Sequence, residues 1–341
     1  MALVKKVIIK NMNDLSYLKG KTVLVTGGTG TFGRAFVSKL LRESEVKKII
    51  IFSRDEFKQS QMQADLKEYA SKLRFFIGDI RDLSRLERAF EGVDIVFHAA
   101  ALKQVPAIEY NPFEAVKTNI LGSQNVIEAA LDNNIDRAIL ISSDKAVQPV
   151  NLYGATKLSA ERLFVAANSY SGRNTKFSVV RYGNVIGSRG SLIEMIKNQR
   201  DKGEISLTDK EMTRFWISID KVLGIILEAV KNMQGGEIFV PKMKSLKVYD
   251  VIKFLAPECK IKIIGVRPGE KMHETLITEY EAKRTVDLKN VFAIKPEFDF
   301  ALRGKWLEGK KMVNQNFEYS SNNSEFILPF AKAGEVLADF K

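Results

Sequence analysis

The segment Thr26-Gly27-Gly28-Thr29-Gly30-Thr31-Phe32-Gly33 limits the fold more than any other stretch of this chain. Before it, Lys21 to Val25 is a short apolar run that reads as a strand. After it, Ala35-Phe36-Val37 and Leu40-Leu41 carry helical spacing. Glycines let the backbone turn tightly and approach a pyrophosphate, which sits at a helix N-terminus. A strand before and a helix after are the context that this motif requires.

The rest of the chain repeats the alternation. Strands are expected at Lys48 to Phe52, Arg74 to Ile77, Asp94 to Phe97, Ala138 to Ile141 and Phe177 to Val180. Helices are expected over Ser60 to Ala70, Leu83 to Phe90, Pro112 to Asn133, Asn151 to Ser169 and Leu192 to Lys202. Such alternation predicts an α/β fold: a Rossmann-like, doubly wound parallel sheet with helices on both faces. After about Tyr182 the pattern changes to loops, Asn184 to Ser191, Asp209 to Trp216 and Gly265 to Lys271. The expected division is an extension over 1–20, a dinucleotide-binding domain over 21–182, and a smaller substrate-binding lobe over 183–341 with some elements returning to the sheet. The polar tail Asn314 to Asn323 reads as loop.

Composition narrows the class. The chain has 341 residues, 45% of them hydrophobic and 28% charged, which suits a folded protein with a large core. No apolar run is long enough to span a bilayer, and Leu3 to Lys10 is too broken by lysines for a signal-peptide core. One cysteine, Cys259, permits no intrachain disulfide and fits a reducing cytoplasm. The net charge of +12 comes from bases interleaved with acids, as in Arg85-Leu86-Glu87-Arg88, and not from one stripe. That argues for a basic surface attracting an anionic substrate, and against nucleic-acid binding. The two histidines, His98 and His273, cannot build a zinc site with one cysteine, and no metal is expected. His98, at an apolar strand end, reads as a packed core histidine.

Two segments carry chemistry. Tyr153 and Lys157 share one face of a helix at i and i+4, so a lysine ammonium can lower the tyrosine pKa and make it a base. Ser142-Ser143-Asp144-Lys145 adds an acid and an amine beside them, more than an alcohol dehydrogenase needs. At the end of the second strand stand Ser53-Arg54-Asp55. Ser53 and Arg54 suit a 2′-phosphate, so NADP is expected over NAD. Asp79 and Ile80 follow the third strand, where an adenine would lie.

The Gly-rich turn, the Tyr153-Gly154-Ala155-Thr156-Lys157 segment and the later loops together resemble the extended short-chain dehydrogenase/reductase family, from about Thr22 to about Leu276. Within it, Ser143-Asp144-Lys145-Ala146, His98 to Pro106 and Met212 to Trp216 are similar to the UDP-N-acetylglucosamine 4,6-dehydratases. Inversion at carbon 5 is the expectation, because retaining members typically lack this tyrosine and carry membrane segments. The resemblance implies the step that opens pseudaminic acid synthesis for flagellin glycosylation, a cytoplasmic homo-oligomer (dimer or hexamer), and tightly bound NADP recycled within each turnover. It implies that Tyr153 takes the 4-hydroxyl proton, that Lys157 holds the nicotinamide ribose, and that Ser143 bonds the same hydroxyl. Lys145 then removes the carbon 5 proton as an amine of lowered pKa, and Asp144 helps the 6-hydroxyl leave. The expected cofactor residues are Gly27, Thr29, Gly30, Thr31, Phe32, Gly33, Ser53, Arg54, Lys58, Asp79, Ile80, Ala99, Ala101, Lys103, Thr118, Tyr153, Lys157 and Val185. Lys103, Asn184, Arg189, Thr208, Arg267 and Glu270 are expected at the substrate. Three readings stay open: a UDP-hexose 4-epimerase, if Lys145 only pairs with Asp144; a retaining dehydratase; and a non-catalytic NADP-sensing protein.

Overall fold

A computed structural model describes residues 14–170, 174–188, 191–298 and 306–338. The apolar runs of the first half become the centre of a nine-stranded sheet. Its strands are β1 (Thr22–Thr26), β2 (Lys48–Ser53), β3 (Leu73–Ile77), β4 (Ile95–His98), β5 (Arg137–Ile141) and β6 (Lys176–Val180), joined later by three more. β1, β2, β4 and β5 are almost wholly buried, as parallel strands covered on both faces must be. Thr22 pairs with Lys48 on one side of β1, and Val23 with Ile95 on the other. The chain leaves β3 at one edge and returns to β4 beside β1, so the strand order reverses there. Ligands of such sheets bind beyond the carboxyl ends at this reversal.

The second half builds a smaller lobe. β7 (Asn184–Val185), β8 (Glu204–Leu207), β9 (Thr213–Ile217), β10 (Ile238–Pro241), β11 (Lys244–Lys247), β12 (Lys260–Ile263), β13 (Thr275–Ile277), β14 (Thr285–Asp287), β15 (Val291–Ile294) and β16 (Tyr319–Ser320) follow in order. β10, β15 and β14 extend the main sheet beyond β6, with β15 antiparallel to β10. The others form short two- and three-stranded sheets. Ile193, Ile205, Leu246, Val251 and Leu255 give the lobe a core of its own. Among the described residues, no helix is long and apolar enough to cross a membrane.

Several local expectations need correction. The helix after β2 runs Glu56–Asp65, earlier than Ser60 to Ala70, because the Asp55 side chain caps it at Lys58 N. Pro112 to Asn133 is not one α-helix: a π turn, Val116–Leu121, separates Pro112–Ala115 from Gly122–Asp132. Thr213 to Trp216, read as loop, lies in β9, which is fully buried between β7 and β11. Its charge, Arg214, disguised it; the guanidinium is absorbed by the Thr213, Met272 and Lys271 carbonyls. The polar tail also enters the fold. Tyr319 is buried among Phe215, Phe292 and Phe326 and donates to Met243 O. Near the start, Ser16–Leu18 forms a 3₁₀ turn whose Tyr17 hydroxyl donates to Leu227 O.

Candidate active site

One cavity of about 920 Å³ runs from the Gly-rich turn across the carboxyl ends of the strands to the second lobe. Its dinucleotide end rests on close backbone packing. Gly27 has φ +67°, and a Cβ there would stand 2.9 Å from Ala100 backbone atoms. Gly30 caps the Thr31–Glu43 helix with no side chain of its own, which suits a phosphate at the first N–H groups. Gly33 does not line the cavity: its Cβ would fall 2.4 Å from Gly28 Cα, so it is the close helix–strand contact and not a ligand contact. At the β2 end, Ser53 Oγ accepts from Gln59 Nε2. Asp55 is occupied by the Lys58 backbone N–H and ammonium. Arg54 stays at the rim, half exposed, 3.7 Å from Asp79. Asp55 is thus held by Lys58 at the surface, and the Arg54 guanidinium stands at the same rim. Thr29, Thr31, Phe32, Lys58, Asp79, Ile80, Ala99, Ala101, Lys103, Thr118 and Val185 line the same space. Of the expected substrate residues, Lys103, Asn184, Thr208, Arg267 and Glu270 line the other end, and Arg189 lies outside the described residues.

Beyond β5 the chain turns through Asp144–Ala146, then enters the Leu152–Ala166 helix, capped by Asn151 on Gly154 N. Gly154 lets that helix sit against the turn, since a Cβ there would lie 2.2 Å from Lys145 O. Tyr153 and Lys157 therefore face the cavity beside Ser143 and Lys145. Lys157 Nζ donates to Ile141 O at 2.7 Å, and burial lowers its pKa to about 8. Asp144 is fully buried. Its Oδ1 accepts from Ser143 Oγ at 2.9 Å and from Lys145 Nζ at 3.0 Å.

Two electrostatic expectations are overturned. Burial pushes the Tyr153 phenol up; the ammonium that opposes this is that of Lys145, aided by the Ser143 hydroxyl, and Lys157 is turned to a carbonyl instead. Lys145 was expected to have a lowered pKa. Burial does act that way, but Asp144 and Glu274 outweigh it and hold the ammonium above the ordinary lysine range. Glu274 is buried, 3.3 Å from Lys145 Nζ, with Arg214 Nε at 3.8 Å and Lys271 Nζ at 3.6 Å. Sequence reasoning missed it, because nothing local places it against a lysine in another lobe. Asn119 was missed too: it bonds both Leu102 backbone groups and Thr156 Oγ1, tying the loop after β4 to the catalytic helix. The π turn that aims it is the kind of irregularity common at functional sites, and helical periodicity hides it. His98 is a satisfied core residue, between Thr26 Oγ1 at 2.7 Å and Ser123 Oγ at 3.0 Å. His273 bonds Thr213 Oγ1.

The chain is similar to known proteins in sequence and in fold. The family model described as polysaccharide biosynthesis protein matches residues 23–296. A Campylobacter jejuni protein named UDP-N-acetylglucosamine 4,6-dehydratase (inverting) is 47% identical over 315 residues, 89% of this chain and 93% of that protein. A Rickettsia akari protein named UDP-glucose 4-epimerase is 40% identical over 315 residues, covering 89% and 92%. The X-ray structure of Pen from Bacillus thuringiensis superposes with a TM-score of 0.86 at 38% identity, covering 95% of this chain and 98% of that one. The chain belongs to the polysaccharide biosynthesis protein family, built on the extended short-chain dehydrogenase/reductase fold.

Proposed function

We propose that this protein is a UDP-N-acetylglucosamine 4,6-dehydratase that inverts carbon 5 and yields UDP-2-acetamido-2,6-dideoxy-β-L-arabino-hex-4-ulose. The observation that carries the reading is that Lys145 does more than pair with Asp144 at 3.0 Å: it also lines the cavity beside Tyr153, where its amine faces the substrate space. An epimerase removes no carbon 5 proton and has no use for it. The name of the Campylobacter jejuni relative supports the same reading.

NADP, when bound, supplies the two-electron acceptor that takes a hydride from carbon 4 and returns it to carbon 6. Arg54 at the rim supports NADP, and Gly27, Gly30 and the uncapped helix start would hold its pyrophosphate. The protein moves the protons. Tyr153 takes the 4-hydroxyl proton as carbon 4 becomes a ketone. The ketone acidifies carbon 5, whose proton passes to Lys145 Nζ. Asp144 gives a proton to the departing 6-hydroxyl, which leaves as water. A hydrogen-bonded path from Tyr153 through Ser143 Oγ to Asp144 Oδ1 can recharge that acid with the proton from the tyrosine. Carbon 5 takes a proton from solvent on the opposite face as carbon 6 is reduced, and Lys145 gives up the proton it had taken to solvent. Water is lost with no net redox change.

The same reading makes Arg267, Glu270, Thr208 and Asn184 contacts of the nucleotide sugar, with Thr208 Oγ1 donating to Glu270 Oε2 at 3.0 Å. On the family resemblance, the product feeds pseudaminic acid synthesis in the cytoplasm and the enzyme assembles as a homo-oligomer. Incubation with UDP-N-acetylglucosamine and no added cofactor, read by mass spectrometry, tests the central step. Loss of one water is expected. An isomer of unchanged mass would replace this reading with a 4-epimerase.

A further inference from the structure

We infer that Glu274 is the second proton acceptor of the elimination: it takes the resting proton of Lys145 and so frees the amine that attacks carbon 5. This rests on the dehydratase reading above. The argument begins with a proton count. Tyr153 is buried and protonated at rest, so its own proton must leave before it can accept one from the 4-hydroxyl. The path through Ser143 carries that proton to Asp144, which then stands ready as the acid for the 6-hydroxyl. Asp144 is thereby filled. Lys145 is also protonated at rest and needs a different acceptor.

Glu274 is placed to be that acceptor. Its side chain is 2% exposed, its Oε1 lies 3.3 Å from Lys145 Nζ, and its buried Oε2 has Lys271 Nζ at 3.6 Å. Transfer breaks one N–H bond of the ammonium and forms one O–H bond on the carboxylate, and the charge of the site is unchanged. Once Asp144 carries the proton from Tyr153, Glu274 is the carboxylate that remains paired with Lys145, and its Oε1 is the acceptor in reach of the ammonium. The groups that face Lys145 are Asp144 on its own turn, Glu274 before β13, Arg214 on β9, Tyr153 on the catalytic helix, and Lys103 and Lys271. Those that face Glu274 are Lys145, Arg214 and Lys271. Arg214 fixes the geometry by holding the Lys271 and Met272 carbonyls. The same loop carries Arg267 and Glu270, so substrate and proton acceptor arrive on one piece of chain. Carbon 5 takes a solvent proton on the opposite face, Lys145 releases the proton it took from carbon 5 to solvent, and Glu274 then returns its proton so that Lys145 is reset.

The test is deuterium uptake at carbon 5 of UDP-N-acetylglucosamine, measured against pH with the holoenzyme. Wild type is expected to be flat around neutral pH, because the transfer is internal. Glu274→Gln is expected to lose about 10²-fold at neutral pH, to recover about tenfold per pH unit as solvent strips Lys145, and to accumulate reduced nicotinamide. Glu274→Asp, which keeps a carboxylate, should return toward the flat profile, and it carries the test if the Gln variant does not fold. A loss of the same size at every pH, with no build-up of reduced nicotinamide, would overturn the inference and leave Glu274 a structural residue. Carbon 5 exchange that survives in Lys145→Ala would overturn Lys145 as the base and the inference with it, whereas a wild-type product that keeps its 6-hydroxyl would overturn the dehydratase reading on which it rests.

Discussion

Tyr153 and Lys145 serve different halves of the proposed reaction, and substitutions should separate them. Tyr153→Phe removes the group that takes the 4-hydroxyl proton, so oxidation itself should slow, with turnover down about 10²–10⁴-fold. Lys145→Ala should still oxidise carbon 4 and then stall, so reduced nicotinamide appears in a burst and carbon 5 takes up no deuterium. Rapid-mixing fluorescence of the cofactor beside NMR of the sugar distinguishes the two. The tyrosine and Lys157 were legible in the sequence because i and i+4 on a helix share a face. The charge state of Lys145 was not. It depends on Asp144 and on Glu274, and only the tertiary fold brings Glu274 to 3.3 Å.

The catalytic helix Leu152–Ala166 works because it can lie against the Asp144–Ala146 turn. Gly154 permits that approach. Gly154→Ala would place a methyl 2.2 Å from Lys145 O, so the helix and the turn must separate. Overpacking of this kind costs about 1–3 kcal/mol of stability, and a displacement on the order of 1 Å at the reacting groups costs about 10²-fold in kcat. Thermal unfolding and kcat measured together would check this; an unchanged kcat would contradict the packing argument. At this scale the parallel strands were the most readable elements, being continuous apolar runs between turn residues. The π turn at Val116–Leu121 and the buried β9 were not readable. One needs an irregularity that periodicity does not encode, and the other conceals an arginine satisfied by carbonyls.

At the scale of the whole molecule, a buried ionic cluster joins the halves at a distance from the reacting groups. Arg181, just past β6, pairs with Glu161 on the catalytic helix and Glu281 on the C-terminal side, and donates to Leu276 O of β13. Arg181→Met would leave two buried carboxylates without their cation. Breaking such a cluster costs about 3–5 kcal/mol, read as a lowered midpoint in denaturant unfolding. A midpoint equal to wild type would mean that the halves are held by apolar packing alone. The α/β class followed from the alternation of elements, and the return of β10, β14 and β15 to the sheet needs the long-range pairing that no local pattern states.

The most direct measurement is proton NMR of the first product formed from UDP-N-acetylglucosamine in deuterated water. The account predicts a 6-deoxy-4-keto sugar with deuterium at carbon 5 and the coupling constants of the L-arabino configuration. A D-xylo product would keep the dehydration but contradict inversion, and a sugar that retains its 6-hydroxyl would contradict the account at its centre.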